Sequence, residues 1–164
     1  MCKEQTLTKT YLFDWGDTLM VDFPDQEGKM CHWAKVEAVK GAFEALESIA
    51  THHDIYIATN AAESTESEIE AAFAKVDLSK FITGYFGRCN LGIAKGSKDF
   101  YLRIAERLNL IPSNMVMVGD SLERDIAPAI EAGLEAIWLN QSNLPLPSNL
   151  KCKQIRRLNE LCTE

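Results

Sequence analysis

The chain lacks any apolar run approaching the roughly 20 residues that a membrane-spanning helix needs. Its first six residues, Met1 to Thr6, lack the apolar core of a signal peptide. No membrane partner is expected, and the expected location is the cytoplasm. Cysteine is sparse and poorly arranged for structural work: Cys2, Cys31, Cys89, Cys152 and Cys162 are odd in number, widely spaced and form no C-x-x-C pair. Neither a disulfide framework nor a zinc site follows, and free thiols are the reading. Basic residues are outnumbered 17 to 24, giving a formal charge of −7 and a pI near 5.0. Their one adjacent pair is Arg156-Arg157, which is not the clustered basic face that a phosphate backbone requires, so no nucleic-acid partner is indicated. Histidine is confined to His32, His52 and His53, in no pattern that nominates an imidazole catalyst. Internal repeats and low-complexity tracts are missing too.

What is present is the composition of an ordinary globular core: 164 residues, 46% hydrophobic and 25% charged, which predicts one domain over 1–164. Thr10-Tyr11-Leu12-Phe13 is a short apolar and β-branched run that stops at Asp14, the pattern of a buried parallel strand. Residues 55–58 repeat it and stop at Thr59-Asn60; residues 115–118 repeat it and stop at Gly119-Asp120. A weaker strand is predicted over 81–86 and a fifth over 136–139. Between them the apolar period becomes helical, over 61–76, 98–109 and 123–132, with Gly133 as a C-terminal stop and Pro128 about one turn in. A helix starting near Gly41 leaves 20–40 as a loop or flap, and 141–153 reads as a surface connection to a short C-terminal segment. Strands alternating with helices predict a three-layer α/β fold, a parallel sheet of about five strands flanked by helices.

Ligands of open parallel sheets bind outside the carboxyl ends of the strands. Asp14, Thr59-Asn60 and Asp120 would share that edge, where two crowded carboxylates need a cation and oxygen ligands favour Mg²⁺ over zinc. The segments Phe13-Asp14-Trp15-Gly16-Asp17-Thr18-Leu19, Ile57-Ala58-Thr59-Asn60, Lys95 ahead of Tyr101, and Gly119-Asp120-Ser121-Leu122-Glu123-Arg124-Asp125 together resemble the four successive motifs of the haloacid dehalogenase-like hydrolases.

That resemblance implies a Rossmann-like sheet of order 5-4-1-2-3 and a Mg²⁺-dependent phosphatase, acting on a phosphorylated small molecule or macromolecule through an aspartyl phosphate. Asp14 would be the nucleophile. Asp14, the Gly16 carbonyl and Asp120 would hold the metal; Thr59, Asn60 and Lys95 would bind the phosphoryl group, with Lys95 also catalytic; Asp125 would fix the metal site or Lys95. Phosphatases of this family usually carry a second aspartate two residues after the nucleophile, as general acid and base, and here that position is Gly16. Asp17, one residue later, is the candidate substitute. Good leaving groups, carbon–halogen or carbon–phosphorus chemistry, or a non-catalytic module that binds a phosphorylated ligand are the alternatives. A phosphoacceptor receiver domain fits the spacing poorly. No large cap is expected, and a homo-oligomer in which a neighbouring subunit acts as the lid stays open.

Overall fold

A computed structural model describes residues 8–61 and 63–163, so Cys2, the 1–6 leader reading and one residue of the predicted 61–76 helix lie outside the described residues. The five anticipated strands form: β1 (Thr10–Phe13), β2 (Asp54–Ala58), β3 (Gly84–Phe86), β4 (Met115–Gly119) and β5 (Glu135–Leu139). A sixth, β6 (Lys153–Ile155), pairs with β5 and extends the sheet to the order β3-β2-β1-β4-β5-β6, parallel throughout. The expected order is therefore present with one edge strand added, where the 141–153 connection gives way to the short C-terminal segment.

Side chains alternate across β1, so its two faces feed two separate cores. Tyr11 and Phe13 join Ile55, Ile57, Val116 and Val118 in one apolar cluster, beneath α1 (Ala42–Ala50) and α2 (Glu66–Ala74). Leu12 joins Ala58, Met115 and Met117 in the other, beneath α4 (Lys98–Leu108) and α5 (Ala127–Glu131). This is the three-layer arrangement. A four-residue helix that the sequence reading did not include, α3 (Arg88–Leu91), connects the edge strand to α4. Gly41, with φ 86°, caps α1 as the sequence suggested, and the C-terminal residues Leu158 and Leu161 are buried on that side.

Two helical expectations shift. Of 61–76, only Glu66–Ala74 is helical, because Thr65 and Glu68 form a capping box that fixes the start there. The predicted 123–132 helix opens instead as a π-helical turn, Leu122–Ile126, before α5. Pro128 has no N–H to donate, and the widened turn places it in the first turn of α5 where none is needed. Likewise 81–86 is strand only from Gly84, preceded by a 3₁₀ turn at Ser79–Phe81.

The register positions the site. Phe13 pairs with Ile57 on one side and Val118 on the other, so Asp14, Ala58 and Gly119 stand level at the carboxyl edge. Among the described residues the 20–41 segment contributes a 3₁₀ turn at Met30–His32 and no large cap, and no helix is long and apolar enough to cross a membrane.

Candidate active site

The turn that follows β1 is wound around one carbonyl. Trp15 O accepts from the backbone N–H groups of Thr18, Leu19 and Met20, while Asp17 N donates to Met20 O. Asp17 reaches this with φ 59°, a left-handed conformation that aspartate tolerates better than most residues. The flap is clipped alongside, Val21 N donating to Glu37 O and Val39 N to Leu19 O. The Gly16 carbonyl carries no hydrogen bond among the described residues. Thr18, fully buried, lies under the turn, its hydroxyl 3.0 Å from Asp14 Oδ2 and 3.2 Å from Asp120 Oδ1.

Lys95 comes from the loop before α4 and its side chain is 3% exposed. Its ammonium donates to Asp14 Oδ1 at 2.5 Å and to Ala58 O at 3.0 Å, and forms an ion pair with Asp125 Oδ1 at 2.7 Å without hydrogen-bond alignment. Lys98, three residues on, is an exposed partner of Glu131 at 4.0 Å. Asp125 projects inward from the π-helical turn and accepts from Ser121 N at 3.1 Å. It does so directly over Gly119: a Cβ there would lie 2.3 Å from Asp125 Oδ2, so no residue but glycine fits at the end of β4 while Asp125 holds this position.

Thr59 continues β2, its N–H donating to Phe86 O, and its buried hydroxyl accepts from Ala61 N at 3.1 Å. Thr59 and Asn60 line a cavity of about 520 Å³ together with Asp14, Gly16, Asp17, Lys95 and Asp120. Every nominated residue except Asp125 therefore borders one space, and Asp125 reaches it through Lys95. Asp17 sits at the exposed end, its Oδ1 accepting from Asp22 N at 3.0 Å, outside the cluster that Thr18 and Lys95 tie together. Trp15 and Trp33 form buried parts of the wall.

Carboxylate oxygens of Asp14, Asp120 and Asp125 lie within 4.8 Å of one another, a group able to hold a metal ion. Burial alone would push the Asp14 carboxyl up, but the Lys95 charge and hydrogen bonds from Asp120, Lys95 and Thr18 hold it below its usual value. Asp120 goes the other way, pushed up to about 7 by burial and by the Asp14 carboxylate beside it. Asp125 is raised by burial and by Asp14, against the pull of Lys95. Burial disfavours the Lys95 ammonium, yet Asp14 and Asp125 outweigh this and hold it charged. With all three carboxylates ionised around the one ammonium, the group would carry two net negative charges, which a divalent cation would match.

The sequence model of the haloacid dehalogenase-like hydrolases matches residues 21–133. The chain belongs to this family. The matched span starts beyond Asp14 and does not include that carboxylate. YfnB of Bacillus subtilis strain 168, named as a HAD-hydrolase, is 28% identical over 127 residues, covering 76% of this chain and 53% of that protein. The pyrimidine 5'-nucleotidase PynA of Streptococcus pneumoniae is 28% identical over 110 residues, 66% of this chain and 45% of that protein. The chain thus spans about half the length of these relatives. The fold is shared with a Listeria monocytogenes serotype 4b protein at TM-score 0.80 and 22% identity, over 94% of this chain and 95% of that one. It is shared also with magnesium-bound YfnB at TM-score 0.75 and 18% identity, over 94% and 96%.

Three contributors had no role in the sequence reading. Thr18 was visible as the Thr of Asp-x-x-x-Thr; Gly119 was visible only as a strand end, and its steric role needs the π-helical turn. The Ala58 carbonyl gives no sequence signal, because any residue supplies one.

Proposed function

We propose that this chain is a Mg²⁺-dependent phosphohydrolase, a phosphatase-type enzyme that forms a phosphoryl intermediate on Asp14. The observation that carries the reading is the Asp14 carboxylate held between Lys95 and Thr18, beside Asp120, in a group of three carboxylates able to hold a metal ion. The named activity of PynA, a pyrimidine 5'-nucleotidase, supports phosphate-ester chemistry in the family, and magnesium-bound YfnB supports the choice of ion.

Asp14, the free Gly16 carbonyl and Asp120 would hold the ion, a donor set of hard oxygens that fits Mg²⁺. When bound, the ion supplies charge neutralisation between nucleophile and phosphate. Lys95 fixes Asp14 Oδ1, while Oδ2, oriented by the Thr18 hydroxyl, would attack in line, and Lys95 faces the charge that spreads over the equatorial oxygens. Thr59 and Asn60 contribute donors to those oxygens, and Asp125 holds Lys95 in place. The sequence nominates Asp17 for proton transfer. Substrates are phosphorylated compounds admitted by an uncapped mouth.

Phosphate release from p-nitrophenyl phosphate, with Mg²⁺ and with EDTA, tests this against Asp14→Asn. The expected result is turnover that EDTA abolishes and that Asp14→Asn lowers by about a thousandfold or more, since a carboxamide is a poor nucleophile. Metal-independent turnover, or an active Asp14→Asn, overturns it. Gly16 favours a second reading, a non-catalytic module that binds a phosphorylated ligand; metal-dependent binding without turnover on any phosphate ester would select it.

A further inference from the structure

We infer that Asp22, carried on the flap, is the proton-transferring carboxylate of this site; the inference rests on the phosphohydrolase reading. Ester cleavage leaves an alkoxide that needs a proton, and the water that follows must lose one, so a carboxyl group with no other engagement has to face the cavity.

The acidic residues at the cavity can be taken in turn. Asp14 and Asp120 share the Thr18 hydroxyl, and Asp125 is 1% exposed behind Lys95. Glu63 lines the cavity too, but from the loop before α2 and not beside the turn that carries Asp14. Asp17 has one oxygen committed to Asp22 N at 3.0 Å. Asp22 lines the cavity, and its carboxylate has no hydrogen bond or ion pair among the described residues.

Placement distinguishes it further. A Cβ built on Gly16 would lie 3.7 Å from both Cβ and Oδ2 of Asp22. The Asp22 carboxylate therefore stands over the bare α-carbon two residues after Asp14, in space that a larger side chain at 16 would contest. Its backbone is held from two directions, by Asp22 N to Asp17 Oδ1 and by the neighbouring Val21 N to Glu37 O at 2.9 Å. Asp17, with its left-handed backbone, is then a positioning residue for Asp22 rather than a proton donor.

In the first step an Asp14 oxygen attacks phosphorus, the phosphorus–ester oxygen bond breaks, and the departing oxygen takes the proton of the Asp22 carboxylic acid. In the second, the Asp22 carboxylate takes a proton from water as its oxygen attacks phosphorus. The phosphorus–Asp14 bond breaks, its electron pair returning to Asp14.

The experiment is kcat/KM for substituted phenyl phosphates, running from p-nitrophenyl to phenyl phosphate in order of rising leaving-group pKa. Asp22→Asn is expected to show a deficit of about threefold on p-nitrophenyl phosphate, growing to about a hundredfold or more on phenyl phosphate. Asp22→Glu, which keeps a carboxyl group, recovers part of the phenyl phosphate activity. Asp17→Asn keeps an oxygen to accept from Asp22 N and gives a deficit that stays flat across the series. A flat deficit for Asp22→Asn, or a growing one for Asp17→Asn alone, overturns the assignment while leaving the phosphohydrolase reading intact. Failure of the parent on every ester in the presence of Mg²⁺ overturns that reading and the inference with it.

Discussion

At the scale of single residues, the opposite behaviour of Asp14 and Asp120 gives the site a pH signature. Asp120 has an ordinary value of 3.8 and is pushed up to about 7, by burial first and Asp14 next. A carboxyl raised on folding contributes stability that is complete below about pH 4 and is lost as pH rises through about 7. Asp14, held low by Lys95 and its hydrogen bonds against burial, has the reverse sign: its contribution is lost only as pH falls through its depressed value. In EDTA the chain is therefore expected to lose stability between about pH 5 and 8, and Asp120→Asn to remove that loss. The gain at pH 8 should be on the order of 1–2 kcal/mol, small because Asp120 is partly solvated. Urea unfolding of both proteins at the two pH values measures it; parallel curves would mean the carboxylates are not crowded. Lys95 is a harsher test. Lys95→Met leaves Asp14 and Asp125 without their shared cation in a buried setting, and the expected cost is about 3–5 kcal/mol in the same assay.

At the scale of elements, the end of β4 and the π-helical turn after it form one steric unit. Gly119→Ala would put a methyl 2.3 Å from Asp125 Oδ2 and 2.5 Å from its Cγ, so the turn must move and Asp125 must leave Lys95. The expected result is a lowered urea midpoint, about 2 kcal/mol or more, with phosphatase activity falling in step. An alanine variant with parent-like values would show that Asp125 is dispensable. This unit also marks what a sequence can convey. Strands β1, β2, β4 and β5 were legible because each is a short apolar run ending at a polar group, and Asp14, Thr59 and Asp120 were legible as those ends. Strand β6 was not, since two of its three residues are exposed and only Ile155 is buried; edge pairing with β5 makes it a strand. The π-helical turn follows from Pro128 and the inward Asp125 together, which no periodicity encodes. The place of Asp22 depends on Asp22 N donating to Asp17 Oδ1 and on the backbone bonds from Val21 N to Glu37 O and from Val39 N to Leu19 O, pairings that no periodicity encodes, and so was invisible until the flap was seen in register with the turn.

For the whole molecule, the two apolar clusters on either face of the sheet make the fold independent of the rim where the charges gather. The metal-free chain should then be folded and simply less stable, and Mg²⁺ should act by mass action on the native state. At about 100 times its dissociation constant a ligand adds about 2.7 kcal/mol, which for a chain of this length corresponds to a rise in thermal midpoint of roughly 5–10 °C. Because the ion must replace the proton on Asp120, whose value lies at about 7, the Mg²⁺-induced rise is expected to shrink as the pH is lowered from 8 to 5.5. Asp120→Asn should show almost no rise at either pH, and sodium chloride of equal ionic strength should reproduce little of it, since screening acts on the whole charge of −7 and not on the rim alone. Thermal unfolding of parent and variant under these four conditions decides the matter. A midpoint that responds equally to both salts, or equally in parent and variant, would remove the divalent cation from this site and with it the chemistry that needs one.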